Sequence, residues 1–153
     1  MIDKETLKEC HVCLIGYLLK NIKEIDQLSI TKDYLKDFSV QGKKYNFKYI
    51  FEKLEQIHKE NRDNEMLSII SRDEEIDGDI LLKIIEGNPL EQIGAILSKE
   101  ETIIQAHKED LLKKAFKKLK NGECDVNKYT EMVKQINELG AVKQENITEE
   151  DLK

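Results

Sequence analysis

Two cysteines three residues apart, in Cys10-His11-Val12-Cys13, form the first arrangement in this chain that chemistry can use. Such a pair supplies half of a tetrahedral zinc site. At a helix start after a strand it would instead be a dithiol redox motif. Zinc needs a second pair of ligands. Besides the adjacent His11, the chain offers only Cys124, His58 and His107, far apart and unpaired. Cys10 and Cys13 lie inside a helical apolar pattern, on one face at i and i+3, with no strand before them. They read as small buried hydrophobes. His58 and His107 fall on or beside apolar stripes and read as core or half-buried histidines. No serine or cysteine is placed to suggest a nucleophile with its base. The acidic residues over 73–79 lack the alternation of a calcium-binding loop and read as a solvated connector. There is no glycine-rich phosphate loop and no H-E-x-x-H. No catalysis, cofactor or metal is expected.

The remaining signal is electrostatic and architectural. The chain has 153 residues, 25 basic and 31 acidic, for a net charge of -6. With one proline, seven glycines and 39% hydrophobic residues it is neither collagen-like nor low-complexity. The longest apolar run, over residues 12–19, is far shorter than a membrane-spanning helix requires, so no membrane partner is expected. An acidic excess argues against a general nucleic-acid coat. Three cysteines, an odd number, and no signal-peptide pattern point to a reducing cytoplasm. The 23 lysines against two arginines, with many Ile and Asn, suggest an AT-rich bacterial or phage genome.

Apolar spacing near 3.6 residues predicts an all-α fold, a multi-helix bundle followed by a C-terminal antiparallel helical hairpin. Asp3 caps a first helix carrying Leu7, Leu14, Ile15, Leu18, Ile22 and Ile25, which Asn21 ends or bends. A short element runs from Lys32 to Phe38 with Thr31 as its cap, and residues 39–44 read as a loop. The clearest helix spans 46–61, with Phe47, Ile50, Phe51, Leu54, Ile57 and His58 on one face. Asp63 caps a short helix bearing Met66, Leu67, Ile69 and Ile70. Another carries Ile80, Leu81, Ile84 and Ile85 and stops at Gly87-Asn88, and Pro89 sits in the first turn of the next. Ser98-Lys99-Glu100-Glu101 reads as a capping box that opens a long helix to Lys120. Asn121-Gly122 ends it, and Asp125 caps a last helix with Tyr129, Met132, Val133, Ile136 and Leu139, ended by Gly140. The domain plan is a bundle over 1–102, the long helix and hairpin over 103–141, and a flexible tail over 142–153. Residues 1–102 carry the whole net charge of -6, and residues 103–153 balance at zero.

Within the hairpin, Lys113, Lys114, Lys117, Lys118 and Lys120 cluster at a helix C-terminus. Lysines favour that end because of the helix dipole and keep an exposed face soluble. The same cluster fits an acidic partner or a weak phosphate contact across residues 113–120. With Phe116 the one aromatic among these lysines and no arginine, base readout is poorly supported. Each arm of a two-helix unit has an apolar face that the pair alone cannot bury. It must pack on the bundle or on another chain.

The order of segments resembles a known family. Leu14-Ile15-Gly16-Tyr17-Leu18-Leu19-Lys20-Asn21 opens the chain, Phe47-Lys48-Tyr49-Ile50-Phe51-Glu52-Lys53-Leu54 follows, and short helices occupy 80–97. Leu111-Leu112-Lys113-Lys114 lies in the first hairpin arm, and the stretch from Tyr129 to Leu139 closes it. The pattern resembles the C-terminal helicase-binding domain of bacterial DnaG-type primases, a six-helix bundle followed by a terminal hairpin. It is also similar to the N-terminal domain of DnaB-type replicative helicases, which has the same fold. The resemblance covers about residues 5–141 and rests on helix order and apolar pattern rather than on an invariant motif. It implies a non-catalytic interaction domain whose partner is the N-terminal domain of the replicative helicase. The hairpin candidates for that contact are Lys113, Phe116, Lys117, Tyr129, Met132, Val133 and Ile136. The alternatives are the helicase N-terminal domain itself, a phage or plasmid helicase-loader-like factor, and a small all-α metal-binding protein using Cys10, Cys13 and Cys124.

Overall fold

The computed structural model describes residues 2–87 and 93–139. Among these, the expected all-α class is the observed one, with one small departure. The elements are α1 (Lys4–Lys20), β1 (Phe38–Val40), β2 (Lys43–Tyr45), α2 (Phe47–Lys59), α3 (Met66–Arg72), α4 (Gly78–Glu86), α5 (Ile93–Lys120) and α6 (Val126–Asn137). Short 3-10 turns occupy Ile22–Gln27, Lys32–Tyr34 and Asp63–Glu65. The chain divides into two compact units, Ile2–Ile103 and the part from Ile104 onward, and the division falls inside α5. No described helix is long and apolar enough to cross a membrane. The expected roles of Asn88, Pro89, Gly140 and the 142–153 tail lie outside the described residues.

In the first unit, Asp3 opens α1 by accepting the Thr6 N–H at 2.7 Å. Leu7, Leu14, Ile15 and Leu18 turn inward, and α1 packs against α2 and α4. Gly87, which caps α4, stands so close to α1 that an added Cβ would meet Val12 Cγ1 at 2.8 Å. The helix expected over 46–61 is α2, whose Phe47, Ile50, Phe51, Leu54 and Ile57 are all buried. It ends on Asn61, in the left-handed region at φ 59°. There the N–H groups of Asn61 and Arg62 reach back to the carbonyls of His58 and Ile57.

Four sequence expectations are corrected here. The helix expected from Lys32 to Phe38 does not form. Thr31 makes no side-chain cap, and only one 3-10 turn is present, over Lys32–Tyr34. Residues 39–44, read as a loop, belong to an antiparallel hairpin pairing Phe38 with Tyr45 and Val40 with Lys43. Its turn places Gln41 and Gly42 at φ 52° and 79°, the two positive values a tight two-residue hairpin turn needs. The hairpin forms because Phe38 and Tyr45 are buried with His11 and Phe47 in one aromatic cluster, at ring separations from 5.2 to 6.0 Å. Asp63 does not cap α3. Both its carboxylate oxygens lie 3.0 Å from His58 Nδ1. Finally, Ser98 does not open a helix, because α5 is already continuous from Ile93. Ile96, Glu100 and Ile103 lie at i, i+4 and i+7 and are all buried, so the inward face runs straight through the apparent capping box.

The segment from Asn21 to Asp37 has little regular structure, yet Leu28, Ile30 and Leu35 are buried. Its backbone donors therefore need partners away from water. Glu100, 3% exposed, provides one: Oε2 accepts the N–H groups of Ser29 at 2.6 Å and Ile30 at 3.1 Å. His11 provides another. Its Nε2 accepts the Lys36 N–H at 3.0 Å, so Nδ1 carries the proton and donates to the Leu7 carbonyl at 2.8 Å. Burial among aromatic rings disfavours the imidazolium and lowers the His11 pKa to about 4. His58 is the opposite case. Its two nitrogens face Asp26 and Asp63, and these hydrogen bonds push its pKa up.

Glu100→Ala leaves the buried Ile30 N–H and the half-buried Ser29 N–H without their acceptor and should lower unfolding free energy by about 2 kcal/mol in urea denaturation. A loss indistinguishable from that of an exposed-site control such as Glu101→Ala would contradict this role. The folded state holds His11 neutral, whereas the unfolded chain protonates it near pH 6.5. The stability from His11 is therefore present above about pH 6.5 and is lost as pH falls through about 4. It amounts to on the order of 3 kcal/mol. His11→Gln should flatten the wild-type stability profile over that window, and parallel profiles would show that His11 does not titrate as described.

Candidate functional site

The second unit contains the expected hairpin. Lys108 Nζ donates to the Asn137 carbonyl at 3.1 Å, and the rings of Phe116 and Tyr129 meet edge to face at 6.4 Å. These pairings step in opposite directions along the two arms, so α6 runs antiparallel to the end of α5. Gly122, at φ 76°, makes the turn. The N–H groups of Gly122 and Glu123 close back onto the carbonyls of Leu119 and Lys118. Asp125 then caps α6 through the Lys128 N–H at 2.7 Å, as the sequence predicts.

The seven candidate residues fall on this unit in two groups. Phe116 is 55% exposed, and Lys113 and Lys117 are exposed beside it. Tyr129, Met132, Val133 and Ile136 are half-buried on α6. The structure pairs Phe116 with Tyr129 directly, while none of α6 is fully buried. Helical spacing also puts Phe116 on one apolar stripe of the long helix with Ile104, His107, Leu111, Ala115 and Leu119. Ile104 and Ala115 are buried there and His107, Leu111 and Leu119 half-buried, but Phe116 points outward. Beyond the seven, one residue that the sequence reading did not name and one from the lysine cluster belong to the same surface. Val126 at the start of α6 is 66% exposed, and Lys120 lies one turn beyond Phe116. Helical spacing carried a signal for both, since Val126 precedes Tyr129 by three residues and Lys120 follows Phe116 by four.

On α5, Leu112, Phe116 and Leu119 form one stripe at i, i+4 and i+7, and Lys113, Lys117 and Lys120 form the adjacent one. Among the described residues no carboxylate is in ion-pair range of Lys113, Lys114, Lys117, Lys118 or Lys120. The hairpin thus presents an apolar ridge with an unneutralised cationic edge.

Elsewhere the chemistry is structural. Cys10 is buried and Cys13 half-buried in α1, and burial pushes both thiols up, away from the reactive thiolate. No cysteine is in a disulfide. Among the described residues no group of three His, Cys, Asp or Glu side chains is placed to hold a metal. In the acidic connector, Asp77 caps α4 through the Asp79 and Ile80 N–H groups. Asp73 accepts the Tyr49 hydroxyl at 2.7 Å, a bond that pushes the Tyr49 phenol up to about 12. A groove of about 500 Å³ in the first unit is lined by Lys8, Val12, Cys13, Tyr45, Lys83 and Lys99 among others. Glu5 and Glu9 also line it, and its one thiol, Cys13, is pushed up by burial, away from the nucleophilic thiolate. No family model, curated protein or solved structure matches the chain.

Because Phe116 is more than half exposed, it should contribute little to folding. Phe116→Ala is expected to lower stability by less than about 1 kcal/mol, against about 3–5 kcal/mol for the fully buried Phe51→Ala. Thermal melts of both variants test this, and equal losses would mean that Phe116 is a core residue.

Proposed function

We propose that this chain is a non-catalytic protein-interaction domain whose C-terminal hairpin is the docking arm. On this reading it works as the helicase-binding domain of a bacterial DnaG-type primase does, against the N-terminal domain of a replicative helicase. The observation that carries the reading is α6, a capped amphipathic helix with Tyr129, Met132, Val133 and Ile136 on it and no fully buried residue. A helix built this way has apolar area to spare for another chain. The aromatic pair beside it is of the residue type that anchors protein interfaces. The succession of α1, α2, the short α3 and α4, and the α5–α6 hairpin supports the reading, although residues 93–97, which the resemblance gives to a separate short helix, belong to α5. The β1–β2 hairpin departs from the all-helical bundle of that family. Three cysteines outside any disulfide fit a reducing compartment, and we place the protein in the bacterial cytoplasm.

Calorimetric titration of the intact chain with the N-terminal domain of the replicative helicase tests the reading. A saturable heat is expected, with affinity reduced roughly tenfold or more by Phe116→Ala or Tyr129→Ala. The absence of binding, or binding indifferent to both substitutions, would remove it.

A further inference from the structure

We infer that the hairpin's occupant is an acidic amphipathic helix, recognised by apolar contact with Phe116 and Tyr129 and by carboxylates set opposite Lys113, Lys117 and Lys120. The inference rests on the docking-arm reading and adds the chemistry of the partner. It follows from how α5 is patterned. The lysine stripe occupies i, i+4 and i+7, and its ends are about 10 Å apart along the axis at 1.5 Å per residue. The apolar stripe of Leu112, Phe116 and Leu119 lies one residue away around the helix and is continued across the hairpin by the edge-to-face contact of Phe116 with Tyr129. An extended peptide would place alternate side chains on opposite faces. A helix instead presents one apolar and one charged stripe side by side, repeating with the same two-turn spacing as α5.

Charge decides the sign of the partner. The five lysines from Lys113 to Lys120 have no carboxylate in ion-pair range among the described residues. A nucleic-acid backbone would also satisfy them, but two features favour protein. Met132, Val133 and Ile136 would give a nucleic-acid strand aliphatic surface that neither its phosphates nor its bases use well, and α6 carries Glu131 with Glu138 just beyond its end. A carboxylate-bearing helix uses both stripes at once, with the charges setting orientation and partner choice and the apolar contact supplying most of the affinity.

The test uses the intact chain and fluorescein-labelled stapled helical peptides. One carries Glu at i, i+4 and i+7 beside a Leu stripe, and its counterpart carries Lys at the same positions. A poly-thymidine strand is the third probe. The Glu peptide should bind at least roughly tenfold more tightly than the Lys peptide. Lys113→Glu combined with Lys120→Glu should reverse that preference, and Phe116→Ala should abolish binding of the Glu peptide. The double variant keeps the apolar ridge, so a reversal cannot come from unfolding, and its circular dichroism should match wild type. Equal binding of the Glu and Lys peptides, or tighter binding of poly-thymidine with a steep salt dependence, overturns the acidic helix. If the Glu peptide fails while the helicase domain is still captured through Phe116, the docking arm stands and the acidic partner falls. If capture through Phe116 fails as well, both fall.

Discussion

The backbone from Leu28 to Asp37, between α1 and the β1–β2 hairpin, is drawn inward with only one 3-10 turn of its own, and two side chains make that tolerable. Leu28, Ile30 and Leu35 pull the segment inward, and its N–H groups would otherwise be left dry. Glu100 from α5 takes two of them, and His11 from α1 takes a third. Each of these acceptors is among the most buried polar groups of the first unit, and each would be expensive to bury alone. The two are therefore mutually dependent with the segment they hold. The segment needs acceptors, and the acceptors need donors.

The consequences spread through the first unit. His11 accepts from Lys36 only as the neutral tautomer protonated at Nδ1, and the rings of Phe38 and Phe47 around it enforce neutrality by excluding water. Those same rings bring the β1–β2 hairpin onto the helices. Glu100 requires the inward face of α5 to run unbroken from Ile96 to Ile103, which keeps α5 continuous where its local sequence resembles a start. Surface ion pairs such as Lys43 with Asp79, at 2.8 Å but exposed, trim the outside and contribute little. The second unit is built on the opposite plan. Its turn and its α6 cap are satisfied by backbone and Asp125, so the hairpin is locally complete while its apolar side chains remain half-covered. The first unit uses its polar groups to close on itself, and the hairpin leaves apolar surface open.

Helix content, most of the helix order and the caps at Asp3 and Asp125 were legible in the sequence because they depend on neighbours within one or two turns, whereas those expected at Thr31, Asp63 and Ser98 did not form. Asp3 and Asp125 cap where the local pattern places them, and Phe47 through Ile57 turn the same face inward. The hairpin and its candidate residues were legible for the same reason, since Gly122 and the spacing of Tyr129, Val133 and Ile136 are local facts. Three-residue strands joined by Gln41-Gly42 are too short to show alternation, and that turn lacks the Asn-Gly or Asp-Gly signature, so β1 and β2 were invisible.

What the amino-acid sequence determined by itself is a helical chain with an acidic first part and a hairpin whose lysines and aromatics share one end. What only the tertiary structure decided is which polar residues went inside and which apolar ones stayed out. Glu100 looked like part of a cap and became a buried acceptor, Asp63 looked like a cap and went to His58, and Phe116, on an apolar stripe with Ala115, faces outward while Ala115 is buried. The physical reason is common to all three. A carboxylate, an imidazole or an aromatic ring has several acceptable local partners of similar energy. The choice among them is made by which backbone donors and apolar surfaces distant segments bring within reach.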